Sequence, residues 1–454
     1  MPETIQAYLE AVREQIRWKR ARPVLVRELG QHLEDQRDAF IQEGKSPTEA
    51  ERLAVEDMGD PVTVGTELDA VHRPRPQWGL LGLTFALAVI GAVLRVTFRH
   101  LYPGPDFMKT LASLGLGTAA LLGLYFLDVS RLVRHARAVY IAALAAGVLA
   151  AWAVLLLLRF HIFFYYSSYV LMFYPLAYAM WLYSFRGKGW RGLTLAILGV
   201  VPLAAVCCFN STASDPFLLL FSGLVLTLYA AGWDWFGVGR WKGVVAVLVL
   251  TFGGLAVLFF KGYLSSFFLR VLLALRPELA KESQGFMGWM LQMYWEDVPP
   301  LRPIGGGIAM SINAGARVFG GGLELLPDDF SHDFLPASMA VAWGWVPLLL
   351  LVAALAVLFL WILVKGLRQS YLPGRFVVLA VALTLELQTL FSVMLNFGFV
   401  LFSASLPLVV GNLHTVIDMA LIGLALSVFR GDSVAREEPP LRPRKRLRVR
   451  VEYQ

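Results

Sequence analysis

Glu282, Gln292, Glu296 and Asp297, followed by the run Leu326-Pro327-Asp328-Asp329-Phe330-Ser331-His332-Asp333, gather carboxylates, an amide and an imidazole into one stretch of an otherwise apolar chain, residues 264–333. Two groups of glycines, 305–307 and 320–322, lie between them. His332 beside Asp333 could orient a phosphate or a metal ion, yet one imidazole with scattered acids lacks the spacing of a strong metal site, and no metal ligand is assigned. Glycines let backbone amides approach phosphate, but no Gly-Lys-Ser/Thr end follows before a helix, so this is not a nucleotide P-loop. A flexible loop is the commoner reason for such glycines.

The elements that hold this stretch are set by composition. Hydrophobic residues make up 57% of the chain, charged residues 16%, and the mean hydropathy is +0.62, which a water-soluble chain of 454 residues would not tolerate on its surface. The expected fold class is therefore all-α, a polytopic membrane protein. Ten apolar segments, 77–97, 107–127, 138–158, 163–185, 192–209, 216–234, 243–262, 335–364, 376–397 and 405–429, each approach the ~20 residues that cross a ~30 Å hydrocarbon core. The 264–333 loop hangs between the seventh and the eighth.

Orientation follows from the short loops. Arg131, Arg134 and Arg137, then Arg186, Lys188 and Arg191, then Arg240 and Lys242, then Lys365, Arg368 and Arg375 all fall on one alternate set of loops, which is expected to be cytoplasmic. Arg99 and Lys109 in the first outer loop are a minor departure from that bias. An even number of spans returns both termini to the cytoplasm and puts the 264–333 loop outside. Met1 opens a polar segment with no apolar run behind a basic start, so no cleavable signal peptide is expected.

Residues 1–75 read as a small cytosolic helical domain, 76–430 as the membrane domain and 431–454 as a basic cytosolic tail. In the head, Ile5, Tyr8, Leu9, Val12 and Ile16 recur at helical spacing over 5–20, and Leu25, Leu29, Leu33 and Ile41 do so over 24–43. Ser46-Pro47-Thr48-Glu49 predicts the start of a third helix, lined by Leu53, Val55 and Met58, and Met58-Gly59-Asp60-Pro61 predicts its end. A short helix over 62–71 leads to the first span. The formal charge of +7 sits largely in short loops and in the tail, 442–450, which points to membrane lipid. A nucleic-acid partner is not expected, because the tail lacks interleaved aromatic residues and a folded platform.

Three features inside the spans need a reason. Glu386 and Asp418 are costly in lipid, and hydrogen bonding to Ser, Thr or Asn of neighbouring helices, such as Asn412, is favoured over a place on an ion or lipid-phosphate path. Cys207 and Cys208 are adjacent, where a bridge would be strained, and read as small core residues.

The head resembles the HAAS-type prefix domain of bacterial membrane proteins, on Tyr8-Leu9, Glu28-Leu29, His32, Glu34-Asp35, Gly44, Glu49-Ala50, Met58-Gly59-Asp60-Pro61, Gly65, Leu68 and His72. That resemblance implies an interaction or signalling module. The membrane part is similar to the SEDS family, the FtsW, RodA and SpoVE type proteins, on an ordered series over its last 190 or so residues. The series runs Pro277-Glu278, Gly285, Gln292, Gly320-Gly321-Gly322, Leu326-Pro327, Asp333-Phe334, Gly344-Trp345, Gln388, Asn396-Phe397-Gly398 and Leu406-Pro407.

This second resemblance implies a glycosyltransferase that polymerises lipid II, the undecaprenyl-linked disaccharide pentapeptide, together with a class B penicillin-binding transpeptidase. It implies a loop acid that deprotonates the attacking sugar hydroxyl, and a divalent cation, Mg or Mn, near the departing pyrophosphate. Two registers compete for the acid. Glu282-Ser283-Gln284-Gly285 with Gln292 places Glu282 there, whereas Pro303-Ile304-Gly305-Gly306-Gly307 puts Arg302 in its position. The first keeps both acid and glutamine; Glu296 and Asp297 are fallback acids. Gln292, Asp333, Gln388 and Asn396 are the implied substrate-binding residues.

The chain also departs from the family. Its Gln-Pro-Ser-Glu with a following Lys is not recognisable around 165–183, and Val410-Gly411-Asn412-Leu413 replaces Ser-Tyr-Gly-Gly after Leu406-Pro407. Three readings stay open at this point: a lipid II polymerase, a non-catalytic scaffold or regulator, and a transporter of a lipid-linked precursor.

Overall fold

The computed structural model describes residues 4–19, 21–73, 76–97, 107–127, 129–156, 168–208, 214–260, 271–272, 275–276, 335–369, 371–397, 399, 401–402, 404–409 and 413–431. All regular elements among them are helices. The chain divides into two compact units with a boundary between Gln77 and Trp78.

The first unit holds α1 (Ile5–Gln15), α2 (Arg22–Gln42), α3 (Pro47–Met58) and α4 (Pro61–His72). Local chemistry sets each start. Ser46 Oγ accepts from the Glu49 N–H at 3.3 Å and Asp60 Oδ2 from the Thr63 N–H at 2.9 Å, which satisfies N–H groups that a helix leaves without partners. Gly59 takes φ +86° between α3 and α4, a left-handed value that favours glycine. Pro61, read from sequence as a stop, is the first residue of α4. Tyr8, Val12, Ile16, Leu33 and Ala54 form the buried core, whereas Ile41, expected to join it, lies exposed.

α1 ends at Gln15 and not at residue 20. Ile16 turns to ψ 105°, its carbonyl accepts from Arg22 Nε at 2.6 Å, and the Arg17 N–H donates to Asp69 Oδ1 at 2.8 Å. Long-range partners thus take the backbone groups that another helical turn would have used.

The second unit contains α5 (Trp78–Thr97), α6 (Phe107–Phe126), α7 (Val129–Arg134), α8 (Ala136–Leu156), α9 (Tyr174–Ser184), α10 (Gly189–Leu198), α11 (Val200–Cys208), α12 (Ser214–Gly232), α13 (Arg240–Phe260), α14 (Leu335–Trp343), α15 (Trp345–Leu367), α16 (Leu372–Asn396) and α17 (Leu413–Gly431). Among the described residues, eight helices are long and apolar enough to cross a membrane: α5, α6, α8, α10 with α11, α12, α15, α16 and α17. They match eight of the ten predicted segments. For the other two, the structure gives α9 with 11 residues and α13 with 21. The protein is an all-α, multi-spanning membrane protein.

Two boundaries differ from the sequence reading. The apolar run 335–364 is two helices, because Gly344 adopts φ +93° and ψ 178° between α14 and α15, a backbone region nearly closed to other residues. In the segment 405–429 the helix is Leu413–Gly431, while Leu406, Leu408 and Val409 ahead of it are buried but irregular. Irregular backbone at membrane depth is tolerated where protein surrounds it. Of the cysteines, Cys207 is buried and Cys208 exposed, since neighbours on a helix point about 100° apart and cannot both face the interior.

α16 occupies the centre. Its span is 78% buried, as is that of α17, against 17% for α8. It packs against α9, α12 and α15.

Candidate functional site

The central helix carries a polar row. Thr384, Gln388, Ser392 and Asn396 succeed one another at intervals of four, so they lie along one face of α16, and all four are buried. Thr384 Oγ1 is satisfied within the helix by the Ala380 carbonyl at 2.9 Å. Asn396 Oδ1 accepts from the Ala337 N–H at 2.9 Å, and Asn396 Nδ2 donates to the Ser392 carbonyl at 2.7 Å. Between them, Gln388 Oε1 and Ser392 Oγ have no hydrogen-bond partner among the described residues, although both atoms are buried. Buried polar atoms without partners are uncommon and costly, so an amide oxygen and a hydroxyl left over in one row are groups that a polar ligand or water would satisfy.

Asn396 positions the element that closes the long loop. Ala337 stands in the first turn of α14, where main-chain N–H groups lack helical partners, and an amide from α16 takes one of them. Trp345 at the start of α15 stacks on Phe397, ring centroids 5.7 Å apart and planes at 14°. The junction of α14 and α15 is therefore fixed to the end of α16.

The segment after α16 folds back into the bundle. Phe402 stacks on Phe391 of α16 at 4.1 Å and meets Phe217 of α12 edge-on at 5.4 Å. Leu408 holds φ +65°, and its N–H donates to Asp418 Oδ2 of α17 at 2.8 Å. Gly91 of α5 lets this backbone come close, since a Cβ there would lie 2.5 Å from Val409 Cα. Asp418 thus accepts from a backbone amide, while Asn412, the side chain named for it from the sequence, lies outside the described residues. Glu386 is half-buried. It stands two residues from Gln388, about 200° around the helix, and does not join the polar row.

Of the residues singled out from sequence, Gln388 and Asn396 share this row. Glu282, Gln292, Glu296, Asp297 and Asp333 lie outside the described residues. Ser392 was not foreseen; its spacing of four from both Gln388 and Asn396 was the available signal. Among the described residues no group of three His, Cys, Asp or Glu could hold a metal ion. The row itself offers amides and hydroxyls, which can orient a polar group but cannot take a proton as a carboxylate does.

No family model matches the chain, and no curated protein matches its sequence. Solved structures do match. One is a chain from the structural coordination of polymerization and crosslinking by a peptidoglycan synthase complex, 19% identical, with a TM-score of 0.56 over 78% of this chain and 98% of that one. The fold is shared with that synthase chain. The rod shape determining protein RodA of Thermus thermophilus is also similar, at 17% identity and a TM-score of 0.49 over 79% of this chain and 97% of RodA. Nearly all of the synthase chain is covered by the match.

Proposed function

We propose that the protein is a SEDS-type glycosyltransferase of the bacterial plasma membrane that polymerises lipid II into glycan strands, in partnership with a class B penicillin-binding transpeptidase. The observation that carries this reading is the fold likeness to the peptidoglycan synthase chain across 98% of that chain. The ordered residue series from Leu326 to Gly398 supports it independently.

In this reading both termini are cytoplasmic and the 264–333 loop faces outward. Glu282 is the general base: it takes the proton of the sugar 4-hydroxyl as that oxygen forms a bond to the anomeric carbon of the growing chain, and the bond to the lipid pyrophosphate breaks. Glu296 and Asp297 are the alternatives for that role. Gln292 and Asp333 contact substrate from the loop. Gln388, with an amide oxygen unpartnered among the described residues, accepts a hydrogen bond from substrate on the bundle side, while Asn396 holds α14 so that the end of the loop is positioned. A divalent cation would neutralise the leaving pyrophosphate, and its ligands would have to come from loop carboxylates. The head serves as a HAAS-like interaction module, and the basic tail binds anionic lipid.

The test is glycan formation from fluorescent lipid II by the purified full-length protein with its transpeptidase, comparing wild type with Glu282→Ala. A second reading, a scaffold that has lost activity, is favoured by Val410-Gly411-Asn412-Leu413 in place of the family's Ser-Tyr-Gly-Gly. The same assay separates the two.

A further inference from the structure

A cavity of about 380 Å³ opens where α12 turns into α13, lined by Leu228, Tyr229, Gly232, Trp233 and Arg240. Its walls are apolar and aromatic, yet one guanidinium, that of Arg240, belongs to its lining. Arg240 is exposed and forms no ion pair among the described residues. Arg375, at the start of α16, places its guanidinium carbon 5.3 Å from the centroid of the Trp233 ring. The carboxylate in the connecting turn, Asp234, accepts from the Gly239 N–H at 2.7 Å and so closes the turn.

The setting is the edge of a membrane. Trp233 is 57% exposed and Trp241 77%, and such rings favour the interface between headgroups and acyl chains. Val245, Val249 and Phe252, at spacings of four and three along α13, are exposed as well and form an apolar strip leading away from the cavity. An occupant must therefore carry an anion at one end and hydrocarbon at the other. Arginine matches a phosphate oxygen pair with its planar fork, and a cavity of this size is within the range that holds small ligands. Water or inorganic phosphate would leave the aromatic wall and the apolar strip without use.

We infer that the α12–α13 cavity is a binding site for an anionic phospholipid, with the phosphate at Arg240 beside Trp233 and an acyl chain along the exposed face of α13. It lies apart from the polar row of α16 and does not depend on the proposed polymerase activity.

Native mass spectrometry of the full-length protein, delipidated in detergent, tests this with added phosphatidylglycerol or phosphatidylcholine. Preferential retention of one phosphatidylglycerol is expected. Arg240→Gln should weaken it about fivefold, as loss of one charge near a phosphate does, and Arg134→Gln, an exposed arginine at the end of α7, should change it less than twofold. Trp233→Ala should weaken retention without altering the protein's thermal stability. Equal retention of both lipids, or equal effects of Arg240→Gln and Arg134→Gln, would reduce the site to diffuse basic charge and overturn the proposal. Displacement of phosphatidylglycerol by millimolar inorganic phosphate would overturn it too, by showing that an anion alone suffices.

Discussion

Asn396 on the central helix holds the Ala337 N–H at the start of α14, 59 positions away in sequence, at 2.9 Å. The bond joins the end of the long loop to the end of the polar row. Asn396→Leu removes the acceptor and strands a buried N–H, which costs about 1–3 kcal/mol. Asn396→Asp keeps an acceptor for Ala337 but puts a charge into the bundle, so it too should destabilise. Thermal unfolding of the purified protein in detergent checks the order: wild type first, both variants several degrees below.

Asp418 and Leu408 form the second such pair. Asp418→Asn retains an oxygen for the Leu408 N–H at 2.8 Å and should be close to wild type in stability. Asp418→Leu leaves that amide without a partner in a left-handed turn and should cost about 1–3 kcal/mol. Protease resistance of the folded protein at rising temperature would distinguish them. Equal behaviour of the two would show that the carboxylate has some other role.

Gly344 is a purely conformational requirement. At φ +93° and ψ 178° a side chain is strained, so Gly344→Val should destabilise by about 1–3 kcal/mol and loosen the α14–α15 junction. Amide exchange across 335–350 should rise in the variant, while exchange in α8 stays unchanged.

Much of this was legible beforehand. Lipid demands long apolar runs, so the α5, α6, α12 and α16 segments stand out in the sequence, and Ser46 as a cap and Gly59 as a left-handed turn announce the ends of the third helix of the head. What composition conceals is irregular backbone made of apolar residues. Leu406, Leu408 and Val409 are as greasy as a span, and their break from helix depends on Gly91, Asp418 and Phe402 contacts made far along the chain. Gly344 hides for the same reason, since glycine is ordinary within membrane helices. Gln388 and Asn396 were found by resemblance; Ser392 between them was signalled only by its spacing of four from each, and its buried hydroxyl has no partner among the described residues.

Acid should act on the head through Asp69. Burial raises the pKa of its carboxyl, but the Arg73 guanidinium at 3.0 Å and the Arg17 N–H at 2.8 Å outweigh this and bring it below the ordinary carboxylate value. A group depressed in the folded state contributes stability that is complete above its unfolded pKa, about 3.9, and is lost as pH falls through the lower folded value. Amide protection of α1 and α4 in the full-length protein should therefore fall below about pH 4. In Asp69→Asn the protection at neutral pH should already be lower and its fall with acid shallower. An identical acid response in wild type and variant would remove Asp69 from the account.

The central claim is tested most directly by glycan polymerisation from fluorescent lipid II, using purified full-length protein with a validated class B transpeptidase. The account predicts polymer from wild type and, with the fold intact, none from Glu282→Ala. Polymer from both would move the base to Glu296 or Asp297, whereas no polymer from either would contradict the assignment as a polymerase and leave a regulatory relative on the same fold.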